Sequence, residues 1–436
     1  MVLLLCGLSA PSRVASQEPI VPPQLSFSDP GARSMGFGGA FVALADDATA
    51  AFANPAGLTQ LLKPEFSIEG RHWNHSIPFI QRGRVEGLPS GIGADTTAGV
   101  RTATMDDVVT GLSFLSLAYP KGRWSLAFFR HQLASLELSS ETRGLFAGGT
   151  DCCQDRVWDQ RATTDLDIAS HGISAAYRLR ESFALGLGVV YHEVSLTSMA
   201  TQFLPDEDPI AGSLAPTSYL PEQSLVSQSL VGDDADWGLI GGFLWRLSNS
   251  WRIGGVYRQG PEVEIAIETR AGEAVDLGVP PGAVLARFSG VPVELPWVLG
   301  LGWAYRPQDS GMTVSFQWDH IEYSTILTSL ERFSARHGES LEEALDDADE
   351  LHLGGEYVFL RSTPLIAFRA GTWLDPDHQI RSTSDDPFER VLQPRGEDQV
   401  HFTLGLGVAF RRFQIDLGVD FANQLDTVSA SAVYTF

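Results

Sequence analysis

The sequence predicts an all-β protein: a transmembrane antiparallel β-barrel of about 14 strands, with its lumen plugged by an N-terminal hatch. Three observations carry this reading. From about residue 64 the chain alternates with period two in segments rich in Gly and aromatic residues. The links between those segments alternate between tight and long. The residues before them are rich in Gly and Ala and do not alternate at all.

The strand candidates cover 64–74, 110–119, 123–140, 163–179, 183–200, 237–247, 251–269, 293–305, 312–326, 351–360, 365–374, 401–410, 413–421 and 427–436. Short links fall at 120–122, 180–182, 248–250, 306–311, 361–364 and 411–412. Long polar links fall at 76–109, 141–162, 201–236, 270–292, 327–350 and 375–400. Tight turns at one end and long loops at the other is the layout of an outer-membrane barrel. Within the strands, Phe183, Leu185, Leu187, Val189 and Tyr191 share one face, and Ala184, Gly186, Gly188 and Val190 share the other. The same split recurs at 297–305 and 402–410. The large face suits hydrocarbon, and the other face is small where a water-filled pore would be polar. Glycine in a strand often marks the close approach of another backbone, although it also relieves sheet curvature.

Composition narrows the alternatives. The chain has 30 basic against 54 acidic side chains and a formal net charge of −24, which excludes a nucleic-acid binder held by a basic face. No internal run reaches the roughly 18 consecutive apolar residues of a membrane-spanning helix. Much of the acid falls at 206–208, 233–236, 342–350 and 385–386, read as hydrated loop surface with oxygen ligands that suit Ca²⁺. A run at 341–351 has the composition of a short loop helix. No residues are put forward as metal ligands: adjacent Cys152 and Cys153 read as loop thiols or a strained bridge, and His72 and His75 flank Trp73 as an interfacial group. Residues 1–16 read as a signal peptide that lacks its basic start, with Cys6 inside the apolar core. None of the ten His sits in a nucleophile motif, so no catalytic residue is expected. Gly36, Gly38 and Gly39 follow no strand and lack dinucleotide-binding spacing, so no cofactor is expected.

Residues 17–63 read as the plug and 64–436 as the barrel. Asp46 and Asp47 exclude a lipid-spanning helix here. Asn54 and Pro55 set a turn through Asx hydrogen bonding and a fixed φ, and 47–52 suits a short helix with an acid near its N-terminus. The stretch GARSMGFGGAFVALADDATAAFANPAGL at 31–58 closely resembles the hatch signature of the FadL/TodX family of outer-membrane transport proteins. LPWVLGLGWAYRP at 295–307 and MTVSFQWDHIEYS at 312–324 are similar to a late hairpin of that barrel, and the terminal SASAVYTF looks like a barrel-insertion signal.

The resemblance implies passive uptake of hydrophobic small molecules, such as long-chain fatty acids or aromatic hydrocarbons, in the outer membrane of a Gram-negative bacterium. The implied partners are outer-membrane lipid and lipopolysaccharide, and the barrel-assembly machinery during biogenesis. Asp46, Asp47, Asn54, Pro55, Ala56 and Gly57 carry over as hatch or gate positions. Arg130, His131 and Arg258 are the candidates to meet a substrate carboxylate. The family also implies an inward kink in the third strand that opens a lateral path; that strand, 123–140, holds neither Gly nor Pro. The alternative is a surface platform like the type IX secretion shuttle barrels, binding secreted protein cargo. With Lys63 and Lys121 the only lysines, the arginine bias points to a GC-rich genome, away from the lineages in which type IX systems are familiar.

Overall fold

A strand that is apolar on one face and small or polar on the other needs two environments, and a sheet that closes on itself supplies them without leaving an edge. The computed structural model describes residues 27–147, 156–274, 278–337 and 341–436. Cys6, Cys152, Cys153 and the signal-peptide reading of residues 1–16 lie outside them.

Fourteen positions in the wall are filled in chain order. They are β1 Glu65–Arg84, β2 Val100–Lys121, β3 Trp124–Glu141, β4 Asp159–Arg180, β5 Phe183–Phe203 and β6 Ser224–Arg246. There follow β7, in two pieces (Trp251–Arg258 and Glu262–Ala271), and β8, also in two (Val284–Glu294 and Val298–Tyr305). The remainder are β9 Met312–Ile321, β10 Ala348–Phe359, β11 Leu365–Asp375, β12 Gln399–Ala409, β13 Phe413–Phe421 and β14 Leu425–Thr435. Each pairs antiparallel with the next, and β1 closes the ring on β14 from Glu65 opposite Thr435 to His75 opposite Leu425.

Outward side chains form a lipid-facing band: Leu187, Leu239, Phe368, Phe402, Leu404 and Leu417 are all exposed. Ring pairs Trp124–Tyr177 and Trp251–Tyr305 sit near the tight turns, and Tyr191–Trp237 and Tyr257–Trp297 lie toward the other end. This is the distribution expected of interfacial aromatic girdles.

Several strands run further than the hydropathy suggests. β1 and β2 stay paired to Gly83 opposite Val100, well into the stretch read as a loop, and Asp233, Asp234 and Asp236 lie in β6. Ladder hydrogen bonds do not require apolar side chains, and beyond the lipid band both faces meet water, so alternation fades before the strand does. The helix expected at 341–351 is absent, because residues from Ala348 onward are recruited into the ladder with β9. The loop helix is instead α3, Ser324–Arg336, which buries Leu327 beside Ile321 and Tyr323.

A charge on the lipid band is costly at mid-depth. Leu404→Arg should lower stability in liposomes by about 2–4 kcal/mol, measured by urea unfolding.

Candidate functional site: the N-terminal segment within the barrel

Residues 27–62 fold into short pieces: α1 (Ala32–Gly36), α2 (Ala50–Ala53) and a 3-10 helix, Pro55–Gln60. Small residues let these turns lie close together. Gly38 and Gly39 both take positive φ, 68° and 76°, and a side chain at Gly39 would run into the His352 ring. Asp47 Oδ1 accepts from the Thr49 amide just before α2. Asn54, fully buried, does three things at once. Its Oδ1 accepts from the Ala56 amide at 3.2 Å, and its Nδ2 donates to Val42 O at 2.9 Å and to Phe243 O of β6 at 3.0 Å. Pro55 supplies the fixed φ that starts the 3-10 helix. The turn chemistry read from Asn54 and Pro55 is thus the observed chemistry.

The segment meets the wall through glycine. A Cβ on Gly354 would lie 1.9 Å from Phe37 O, on Gly254 2.4 Å from Val42 O, and on Gly186 2.3 Å from Ala56 N. On Gly371 it would lie 2.5 Å from Gly38 N, and on Gly418 2.5 Å from Ala32 O. These strands, β5, β7, β10, β11 and β13, are spread around the ring. The lumen glycines therefore receive backbone, and curvature alone does not account for them.

Between the glycines the lumen face is charged, where alternation had suggested only small residues. Glu69 Oε2 accepts from the Gly31 amide at 2.8 Å, while its Oε1 takes Arg71 Nε at 2.7 Å and Ser429 Oγ at 2.6 Å. Arg71 in turn donates to Ser28 Oγ and Asp29 O. Gln317 Oε1 accepts from the Phe41 and Val42 amides. Arg33 lies between Asp46 and Glu356, and Arg369 bridges Glu356 and Asp416. Burial pushes the Asp46 carboxyl upward, but Arg33 and Arg306 outweigh it and hold the group down at about 2. Gly57 closes against Ala45 O. The charges were legible only in register with the glycines: Glu350, His352, Gly354 and Glu356 are alternate residues of one strand.

The three carboxylate candidates separate. His131 is buried, with Nδ1 3.1 Å from Ser113 O and Nε2 3.3 Å from Ser28 O, its ring edge-on to Phe52. Arg258 pairs with Asp29 and lies over the Phe52 ring at 5.1 Å. Arg130, one residue from His131, necessarily points the other way; it donates to Leu112 O and Gln132 Oε1. The structure thus brings His131 and Arg258 together at Phe52 and leaves Arg130 outside.

The wall has two discontinuities. β2 and β3 pair only from Lys121 opposite Trp124 to Phe114 opposite His131. Beyond that, β2 continues with β1 and β3 with β4, and the register of β3 shifts by one residue around Leu133. The side chain of Asp107 reaches across and accepts the Glu137 amide. The third strand's residues did not mark this register shift, because a bulge inserts a residue without requiring Gly or Pro. A second break separates the two pieces of β7 and of β8 at 259–261 and 295–297, where Pro261 and Pro296 cannot donate to a ladder. There Asp236 and Asp234 accept the Glu262 and Glu264 amides. A small apolar cavity of about 40 Å³ joins the two regions, lined by Phe27, Phe52, Leu133, Ile240, Pro261 and Leu295.

The family model for outer membrane protein transport protein (OMPP1/FadL/TodX) matches residues 155–432, well over half of the sequence. The chain belongs to the OMPP1/FadL/TodX family. Like its relatives it is an outer-membrane transport protein of a Gram-negative bacterium. It is 24% identical over 409 residues to the long-chain fatty acid transport protein of Salmonella typhi, covering 87% of this chain and 82% of that one. The barrel is also similar in fold to a Pseudomonas aeruginosa FadL homologue, with 15% identity, a TM-score of 0.61, and coverage of 96% and 99%. It is similar again to the Pseudomonas putida toluene transporter TodX, with 14% identity, a TM-score of 0.57, and coverage of 94% and 99%.

The glycine contacts give a direct test. Gly354→Leu should displace the segment and raise single-channel conductance in planar bilayers. Gly111→Ala, with open space around it, should leave conductance unchanged.

Proposed function

We propose that the protein admits hydrophobic small molecules, such as long-chain fatty acids or aromatic hydrocarbons, passively through the outer membrane, with residues 17–63 acting as the hatch. The observation that carries this reading is the apolar cavity at Leu133, which lies where β2 and β3 part and is lined on its other side by Phe27 and Phe52 of the N-terminal segment. A water-filled pore would need polar walls at that depth. A surface platform for secreted cargo would need no apolar cavity where two strands part.

Each step follows from burial and charge. An apolar molecule leaves the lipopolysaccharide-covered surface and buries its surface among Phe27, Phe52 and Leu133. Arg258 and His131 sit where a carboxylate on it would arrive. Arg258 is held by Asp29, so an incoming carboxylate competes with Asp29 for the guanidinium and loosens residues 28–31 from the wall. Asp46, Asp47, Asn54, Pro55, Ala56 and Gly57 hold the remainder of the hatch until it shifts. The parted strands then offer a sideways exit into the bilayer. No chemical step is involved, so the reading assigns no catalytic residue and no cofactor. Outer-membrane lipid surrounds the barrel, and the barrel-assembly machinery acts on it during biogenesis.

Cells expressing the protein should take up a labelled long-chain fatty acid or alkylbenzene. Deleting Leu133, which brings β3 back into register, should cut that uptake severalfold while the barrel stays heat-modifiable on gels. Absence of uptake across a broad hydrophobic panel would overturn the reading.

A further inference from the structure

We infer that Asp319, Glu350 and His352 form a binding site for one first-row divalent metal ion of the Zn²⁺ class, clamped between the wall and the hatch. Sequence alone placed Glu350 at the end of an acidic loop stretch whose oxygens suit Ca²⁺, and singled out neither Asp319 nor His352. The ladder of β9 with β10 sets Asp319 directly opposite Glu350, and Gln317 opposite His352. All four face the lumen and all are buried. Two carboxylates directly opposite one another on paired strands repel, and burial strengthens that repulsion.

The geometry around them is that of a ligand set. His352 Nε2 lies 3.1 Å from Glu350 Oε2 and 3.3 Å from Asp319 Oδ2. Those separations match the edges, roughly 3.4 Å, of a tetrahedron with metal–ligand distances near 2.0–2.1 Å. One donor atom from each of the three residues falls within 4.8 Å of the others.

The outer groups are also in place. His352 Nδ1 lies 2.8 Å from Gly38 O. With the proton on Nδ1 donated to that carbonyl, Nε2 is left as a lone-pair ligand, the usual arrangement for a metal-bound imidazole. Gln317 Nε2 donates to Asp319 Oδ2 at 2.7 Å and fixes that carboxylate's orientation. The second oxygens, Asp319 Oδ1 and Glu350 Oε1, are buried and take no hydrogen bond from the described residues. Buried acceptors without partners are rare and costly.

Charge points the same way. Asp29 and Arg258 border the same cavity, of about 60 Å³. Asp319, Glu350 and Asp420 border it too, so four carboxylates face Arg258 there, and a divalent cation that displaces any proton on His352 Nε2 would offset the excess. One nitrogen and two oxygen donors suit Zn²⁺ and its neighbours. Ca²⁺ would require six to eight oxygens. Water from the cavity that all three ligands border would complete the shell. Because Gly38 belongs to the hatch and the three ligands to the wall, a bound ion would pin the hatch in its seat. The site does not depend on which molecule the channel carries.

The test uses the full-length protein in detergent, stripped with EDTA and titrated calorimetrically with ZnCl₂ at neutral pH. One saturable equivalent is expected, weakened by roughly tenfold or more in Asp319→Asn and in Glu350→Gln, at least the loss that even outer-shell changes cause. Loading the wild-type protein with CoCl₂ should give the intense visible bands of a four- or five-coordinate nitrogen–oxygen site. No saturable equivalent in the wild type would overturn the proposal. So would an equivalent unchanged in both variants, which would place the ion on the acidic loops. A weak six-coordinate Co²⁺ spectrum like that of the aqueous ion would also overturn it, and needs no variant to assemble.

Discussion

A backbone can approach a β-strand face-on only where that strand carries no Cβ, and the whole arrangement inside this barrel rests on that constraint. Gly186, Gly254, Gly354, Gly371 and Gly418 each leave the space of one methyl group, and into those spaces fit the carbonyls and amides of residues 32–56. The contact is with main chain, so it specifies where the segment runs without specifying most of its side chains. It also explains why the segment is itself built from Gly and Ala: bulk on either side would separate the two surfaces.

Main-chain proximity alone would leave buried polar groups unpaired, and polar and charged side chains of the wall and the segment answer that need. Glu69 takes the Gly31 amide, Gln317 takes two successive amides, and Asn54 serves Val42 and Phe243 together. Each of these residues is a wall-to-segment tie whose loss would strand a buried donor or acceptor, at about 1–3 kcal/mol apiece. The ties are numerous but individually modest. Such a plug can be firmly closed at rest and still be shifted by a ligand that competes for one of them, with Asp29 on Arg258 the most exposed to competition because both border one cavity.

All fourteen wall positions were legible in the sequence, as were the tight turns at one end and the Asx turn at Asn54, because each rests on local chemistry: alternation, turn residues, an amide side chain before proline. What escaped was longer-range. The register shift at Leu133 leaves no compositional trace. The prolines at 261 and 296 were visible, yet the strands were read straight through them, since a break that pairs with another break costs fewer ladder bonds than a break alone. Glu350 looked like one of many loop acids until the register of β9 and β10 set it opposite Asp319. Family resemblance placed the expected lateral path in the third strand but not the residue at which that strand shifts, and Arg130 was taken as a candidate alongside His131 on its charge alone, although adjacent residues of a regular strand point to opposite faces.

The most direct measurement is single-channel recording of a variant lacking residues 29–62, reconstituted in planar bilayers after its heat-modifiable migration has shown the barrel to be assembled. If the segment fills the lumen by seating on the wall glycines, the variant conducts ions steadily and severalfold more than the intact protein. An assembled barrel whose conductance equals that of the intact protein would mean that something other than this segment closes the lumen, and the account would fail.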